Sequence, residues 1–552
     1  MSGRWVVRVV YGVVWLVLIG YIAYPVWQIM QQALTSETLE AFIASWTTVQ
    51  ARALYNSVLL SVLTVIGAGV LGIGLAFLTV RYVFPLRRVL QVVAMLPLAL
   101  PPLVGVLAFL FLYGETGILP RILQTMLGLQ HVPFSFEGFG AVWFVHVYSF
   151  YVYFYLIVRA ALQTMDYALV EASMDMGASR WQTFRMVVFP LLRPALVGAS
   201  LLVFMLSMAS FTAPLLFGGL EPFLTVQIYQ YKVNGNMEMA ALLSLLLMSI
   251  SVGLLLLLEW RSKGTLKAGS KGVAGIAPRH LRGWKRYGAV GGSLLTILLI
   301  GLPILTVIGL SFVKEGQWTT QILPPAYTLE NYVRLFTEPQ VFAPIRNSIQ
   351  MAGLATLADL GIGVAIAFLL VRTSVRGRIL LQLLANLPFA IPGTVIAISL
   401  ILAFDHSSWW SFGQVLVGTF WMLPLAYFVR HLPLVVRSTE AVLESFDTRL
   451  LEAAADLGAS RRQRFLDIVF PLIIPGVLAG ALLTFVTALG EFVASILLYV
   501  YDNRPISVEI FSRLRLYDFG GAAAYSVFLM ALILLTLVVT RKWQVTVTGE
   551  RV

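Results

Sequence analysis

A chain of 552 residues that is 59% hydrophobic and only 12% charged, with a mean hydropathy of +0.87, departs widely from the soluble average of about 25% charged. It reads as an all-α polytopic membrane protein, and the absence of cysteine excludes disulfides, Cys-ligated metal sites and thiol catalysis. The net charge of +12 raises nucleic acid as a partner, but the distribution of that charge along the chain argues against it.

Apolar stretches of the roughly 20 residues needed to cross a bilayer fall at about 6–30, 54–80, 89–113, 139–163, 194–217 and 238–260. A second set follows at about 287–312, 347–371, 380–404, 413–436, 476–500 and 521–540. Arg4 and Arg8 ahead of an apolar run would also suit a signal peptide. That run continues through Trp15, Tyr21, Tyr24 and Trp27 without a small-residue cleavage site, so it is kept as the first span. The expectation is twelve spans, six in a first repeat (1–260) and six in a second (287–552). The segment between them, 261–286, carries eight Lys or Arg and no acid, with the Gly and Lys content of a flexible tether. Beside a membrane such a segment suits anionic lipid better than nucleic acid. With both termini inside, 29 of the 38 basic residues fall on the inner side, Arg430 and Arg437 among them. The positive-inside rule then fixes the orientation.

The halves repeat. Asn56-Ser57 matches Asn347-Ser348, Arg87 matches Arg378 and Pro101 matches Pro392 at a shift of 291. Beyond the third span the shift becomes 281, because Gly114 to Gly140 is replaced by the shorter Asp405 to Gly413. With six spans per copy the copies point the same way, a parallel repeat.

The strongest match is DYALVEASMDMGASRWQTFRMVVFPLLRP, from Asp166 to Pro194, against DTRLLEAAADLGASRRQRFLDIVFPLIIP, from Asp447 to Pro475. Asp166 and Asp447 are placed to N-cap a short helix, and Gly177 and Gly458 to end it in the left-handed conformation. Ser179-x-x-Gln182 and Ser460-x-x-Gln463 have capping-box spacing and start a second helix. Pro190 and Pro471 are expected to end that one.

These corners resemble the EAA loops of membrane subunits of binding-protein-dependent ABC importers: Glu171-Ala172-Ser173 with Gly177, and Glu452-Ala453-Ala454 with Gly458. The second copy fits the pattern better, since Ser173 replaces an alanine in the first. The resemblance implies the type I importer permease fold, fused into one chain, in a bacterial cytoplasmic membrane. It implies coupling to two cytoplasmic ABC ATPases through Glu171, Ala172, Asp175 and Gly177 and through Glu452, Ala453, Asp456 and Gly458. It also implies an extracytoplasmic substrate-binding protein as partner. The fused layout is most similar to ferric-iron systems, with thiamine, polyamine and aminoethylphosphonate systems next.

No G-x-x-x-x-G-K-[ST] phosphate loop is present, so ATP and Mg are assigned to the partner ATPases, and this chain is expected to hold no catalytic, cofactor or metal site. The five histidines are dispersed without ligand spacing. Two carboxylates fall inside spans, Asp359 and Glu491, where an unpaired charge is costly. Asp359, beside Gly361 and Gly363, suits helix packing. Glu491 matches Ser210 at the 281 shift, and both are candidates for the translocation path. For Glu491 two readings stand: a carboxylate facing the path, or one bonded to a neighbouring helix. Pro97, Pro101, Pro102, Pro388 and Pro392 are expected to kink the third and ninth spans. A secondary transporter would also suit twelve spans in two parallel halves, but needs relay carboxylates in several of them. A channel would have no need of the two corners.

Overall fold

The computed structural model describes residues 2–46, 49–262, 279–318, 322–445, 447 and 449–548, so residues 263–278 of the tether lie outside the described part. Among the described residues ten helices are long and apolar enough to cross a membrane, from Trp5–Ala33 to Phe519–Val538. The expected ninth span is a bent pair, Arg378–Ala390 and Gly393–Phe404. The expected tenth is Met422–Ser445, whose Arg430, His431, Arg437, Glu440 and Glu444 make it the most polar of the set. The membrane-crossing helices among the described residues thus number ten, or eleven with the bent pair, against the twelve expected, and the expected tenth is the one not among them.

Four local expectations are corrected. The ninth span is not kinked but turned by 113°. Ile391, which precedes Pro392, takes the extended conformation (φ −81°, ψ 123°) that a following proline imposes. Leu100 before Pro101 does the same (φ −86°, ψ 130°), dividing the third span into Arg87–Val93, Leu96–Ala99 and Pro102–Tyr113. The tenth span begins at Met422 rather than near 413, because Phe412, Gly413 and Gly418 all take positive φ and hold 412–421 out of a helix. The fifth and eleventh spans stop at Met208 and Leu489, and short separate helices follow, Thr212–Phe217 and Val493–Leu498.

The fourth correction concerns Pro190 and Pro471, which do not end the second helix of each corner. The helices run on into the membrane, as Arg180–Met208 and Arg464–Leu489. Each proline follows a π-helical stretch, Phe184–Val188 or Arg464–Val469. There the amide of Phe189 bonds back to Phe184 and that of Phe470 to Phe465. An α-helical Pro190 would lack its own bond and press on the carbonyl of Met186. The wider π turn moves that carbonyl aside and lets the helix continue.

The described residues form two compact units, and these do not follow the two halves of the sequence. One unit comprises Met1–Ala41, Tyr231–Met248 and Leu329–Val552, and the other Phe42–Gln230 and Ser249–Thr328. Each half therefore lends its first span to the unit built by the other. In the first unit the Tyr11 hydroxyl donates to the Arg376 carbonyl (2.9 Å) and that of Tyr21 to the Trp410 carbonyl (3.1 Å). In the second the Tyr148 hydroxyl donates to the carbonyl of Ile300, on the seventh span (3.0 Å).

Between apolar helices in lipid, association rests on close packing rather than on expulsion of water. The repeat preserves such a contact. A Cβ on Gly72 would lie 2.4 Å from the Tyr151 carbonyl and 2.6 Å from Phe154. Its counterpart Gly363 would meet Val435, the residue matching Phe154, at 2.9 Å. The second and fourth spans, and likewise the eighth and tenth, cross where only glycine fits.

Candidate functional site

The two corners fold as their punctuation dictates. Asp166 accepts from the Ala168 amide (3.0 Å) and caps Tyr167–Asp175; Asp447 accepts from that of Arg449 (2.9 Å) and caps Arg449–Asp456. Gly177 and Gly458 close the helices at φ +84° and +83°. The amide following each glycine reaches back five residues, Ala178 to Ser173 (3.1 Å) and Ala459 to Ala454 (2.9 Å), the Schellman pattern. Reciprocal Ser179–Gln182 and Ser460–Gln463 bonds of 2.8 to 3.3 Å then start the second helices.

Glu171, Ala172, Asp175 and Gly177 are all exposed, as are Glu452, Ala453, Asp456 and Gly458. The matched tips Met176 and Leu457 are bare, at 83% and 89% exposure. Each corner thus ends in a large, bare apolar side chain, twice in register. The copies differ behind that surface. In the first, the hydroxyls of Ser173 and Thr183 meet at 3.1 Å in a buried contact that braces the corner. Ala454 and Arg464 stand there in the second, and no such bond is possible.

Within the membrane the repeat places a helix break after Ala209 and after Gly490, at Ser210 and Glu491. A break frees backbone carbonyls that lipid cannot satisfy. Thr225 donates to the Ser210 carbonyl (2.7 Å), and Ser507 to the Glu491 carbonyl (2.7 Å). The side chains are held from the neighbouring span. On the first side His146 bridges the hydroxyls of Ser207 (3.0 Å) and Ser210 (2.8 Å). On the second, Arg430 Nε lies 2.9 Å from Glu491 Oε2, and the Ala494 amide donates to Oε1 at 3.0 Å. Tyr427, which matches His146, meets the Ser495 hydroxyl at 2.7 Å. Glu491 is only 6% exposed, so its geometry is that of a carboxylate bonded to a neighbouring helix. Arg430 falls inside the expected tenth span, 413–436, between the apolar flanks LPLAYFV and HLPLVV, and counting it only as an inner-side cation hides its role. Asp359 is fully buried, and neither of its oxygens has a hydrogen-bond partner among the described residues.

The Asn-Ser repeat proves to be a clamp. Asn56 donates to the Glu221 carboxylate (3.0 Å) and the Pro222 carbonyl (3.1 Å), while Ser57 accepts from the Leu224 amide (3.0 Å). Asn347 donates to the carbonyls of Asp502 (3.1 Å) and Arg504 (3.2 Å), and Ser348 accepts from the Ile506 amide (2.8 Å). Each clamp ties the second span of its half to the loop after the break. Beyond the second clamp Arg513 donates to Asp518 (2.7 Å) and Glu509 (2.9 Å). Burial opposes its charge, but these carboxylates outweigh the burial and raise its pKa.

Two parallel sets of membrane helices, each with an exposed corner on one side and a clamped break within, define a polytopic transport permease carried as an internal duplication. Residues 68–265 and 360–549 match the model of the binding-protein-dependent transport system inner membrane component, and the chain belongs to that family. It is thus the membrane subunit of an ABC importer, with both permease units fused in one chain and a substrate-binding protein as partner. It is 30% identical to the protein named Probable ABC transporter permease protein y4fN, from Sinorhizobium fredii, over 83% of this chain and 81% of that one. It is 29% identical to the Ferric transport system permease protein FbpB of Actinobacillus pleuropneumoniae, over 88% of this chain and 70% of that one. The Sulfate transport system permease protein CysT of Escherichia coli is 31% identical over 45% of this chain but 88% of its own length, as a single unfused permease would be.

Proposed function

We propose that this permease imports ferric iron, with both termini and both corners in the cytoplasm and the corners seated on two ABC ATPases. The observation that carries the coupling role is the pair of exposed corners, alike from cap to capping box and each tipped by a bare apolar residue. Glu171, Ala172, Asp175 and Gly177 form one seat, and Glu452, Ala453, Asp456 and Gly458 the other. ATP and Mg act on the partner subunits, and the movement they drive enters the membrane through the continuous helices Arg180–Met208 and Arg464–Leu489. Ser210 and Glu491 contribute to the path by holding its helix breaks, with the charge of Glu491 engaged by Arg430 rather than by cargo. The substrate assignment is supported by relatives named as ferric transport permeases that match 82% to 88% of this chain.

The test is purification of the tagged full chain from its own membrane, followed by uptake into proteoliposomes with the co-purified ATPase and the binding protein. ATP-dependent uptake of labelled ferric iron, unaffected by thiamine or putrescine, is expected. Recovery of the chain without an ATPase would overturn the coupling role, and uptake of thiamine or putrescine instead of iron would overturn the substrate.

A further inference from the structure

Where the second span hands over to the third, a cavity of about 540 Å³ opens beside Arg87, Arg88 and Arg159. That volume lies in the range of small-molecule sites. Gln91 and Gln163 add polar lining, and Val83, Phe84, Leu86 and Val89 an apolar wall, with no acid among the lining residues. None of the three arginines has a carboxylate within ion-pair distance among the described residues.

Two of the arginines are held in place by neutral groups. Arg87 Nε donates to the Thr79 carbonyl (2.7 Å), to which Gln91 also donates (3.3 Å). Arg159 donates to the Tyr155 hydroxyl (3.3 Å), its guanidinium 5.8 Å from that ring. Fixing a guanidinium through one N–H leaves the rest of its donor fork to meet an oxyanion. The tether adds a further cation at this edge, since Arg279-His280 pairs in parallel with Tyr82-Val83.

The second half supplies an internal control. There Arg378 replaces Arg87, Ile379 replaces Arg88, Glu440 replaces Arg159 and Glu444 replaces Gln163. The second half thus carries two acids with a single arginine at these four places. The first half has lost both acids and gained two arginines at the same four places. Its backbone is also strained there. Leu86 holds φ +68° where the second half has Gly377 at +71°. A branched side chain in that region carries a cost that a functional site can justify.

We propose that the Arg87, Arg88 and Arg159 pocket binds the phosphate headgroup of an anionic phospholipid. The shared chemistry is a phosphate oxyanion on fixed guanidinium groups. The apolar wall and the exposed Val89 and Val92 on the same short helix favour the amphiphilic source over free phosphate. Arg159 and Gln163 lie immediately before Asp166, so a bound headgroup touches the stalk of the first corner and of no other. The proposal requires a membrane protein but not the iron assignment, so either can fail alone.

The test is native mass spectrometry of the purified full chain, titrated with phosphatidylglycerol or phosphatidylcholine, with inorganic phosphate in a parallel thermal-shift series. Wild type should retain phosphatidylglycerol in preference to phosphatidylcholine. Arg88→Ile, at an exposed position where the second half already has isoleucine, should weaken that retention about fivefold. Arg159→Glu with Gln163→Glu, which copies the second half, should abolish the preference. Unchanged phosphatidylglycerol retention in both variants would overturn the proposal. So would a phosphate-induced thermal shift that the variants lose while lipid retention stays equal, since the site would then serve a soluble anion.

Discussion

Arg430 and Glu491 form a 2.9 Å ion pair between the tenth span and the break after the eleventh, with the carboxylate buried to 6% exposure. Removing one member of a buried pair leaves the other uncompensated, at a cost of about 3 to 5 kcal/mol. Glu491→Gln keeps an acceptor for the Ala494 amide but gives Arg430 no counter-charge, so thermal stability and uptake should fall together. Replacing both residues with methionine should restore much of the stability, because no charge is left behind. Wild-type stability with lost uptake in Glu491→Gln would mean that the carboxylate acts on cargo instead.

Gly393 stands against the same guanidinium. A Cβ there would lie 1.6 Å from Arg430 Nη1, so Gly393→Ala must displace the arginine. The expected result is a stability loss close to that of Arg430→Gln, and little further loss when the two changes are combined. Additive losses in the double variant would show that Gly393 acts separately from the pair.

At the corners the effect of substitution is conformational alone. Nothing lies within 4 Å of a Cβ built on Gly177 or Gly458, yet both glycines sit at positive φ. Valine at either site should cost about 1 to 3 kcal/mol of local strain and alter the angle between the two helices. Membrane insertion should be preserved, while ATPase capture and ATP-dependent uptake fall together. Full coupled uptake in the double variant would contradict the seat assigned to these corners.

The clamps predict an inequality. Asn347→Ala releases two backbone carbonyls, whereas Asn56→Ala releases one and leaves Glu221 paired to Arg52 at 2.9 Å. These bonds are partly buried, and an acceptor left without a partner costs up to about 1 to 3 kcal/mol when fully buried, so Asn347→Ala should lower the melting temperature more. Proteolysis of the purified chain should then cut first near Asp502 to Arg504. Equal melting temperatures would remove the inequality.

The sequence carried the corners almost completely, because caps, glycines and capping boxes are local interactions whose partners lie within five residues. It carried most of the spans for the same reason, since apolar length is local, but counted twelve where ten, or eleven with the bent pair, are found. It misjudged Pro190 and Pro471, because a π turn is a backbone adjustment with no residue signature of its own. It left Glu491 undecided because Arg430, its partner, lies 61 residues earlier, where Gly393 leaves room for the guanidinium. The role of Asn56 and Asn347 was invisible for a similar reason. Their repetition could be seen, but their acceptors lie more than 150 residues away.

The loan of a first span by each half sets a timetable for assembly at the ribosome. Tyr11 bonds to a carbonyl 365 residues later in the chain, and Tyr21 to one 389 later. At a synthesis rate of about 5 to 20 residues per second, the first span waits in the bilayer for roughly 20 to 80 seconds before its acceptors are made. During that interval Tyr11, Tyr21, Tyr24 and Trp27 must be tolerated by lipid or shielded by the insertion machinery. The chain is thus under selection for its half-built form as well as for its finished one.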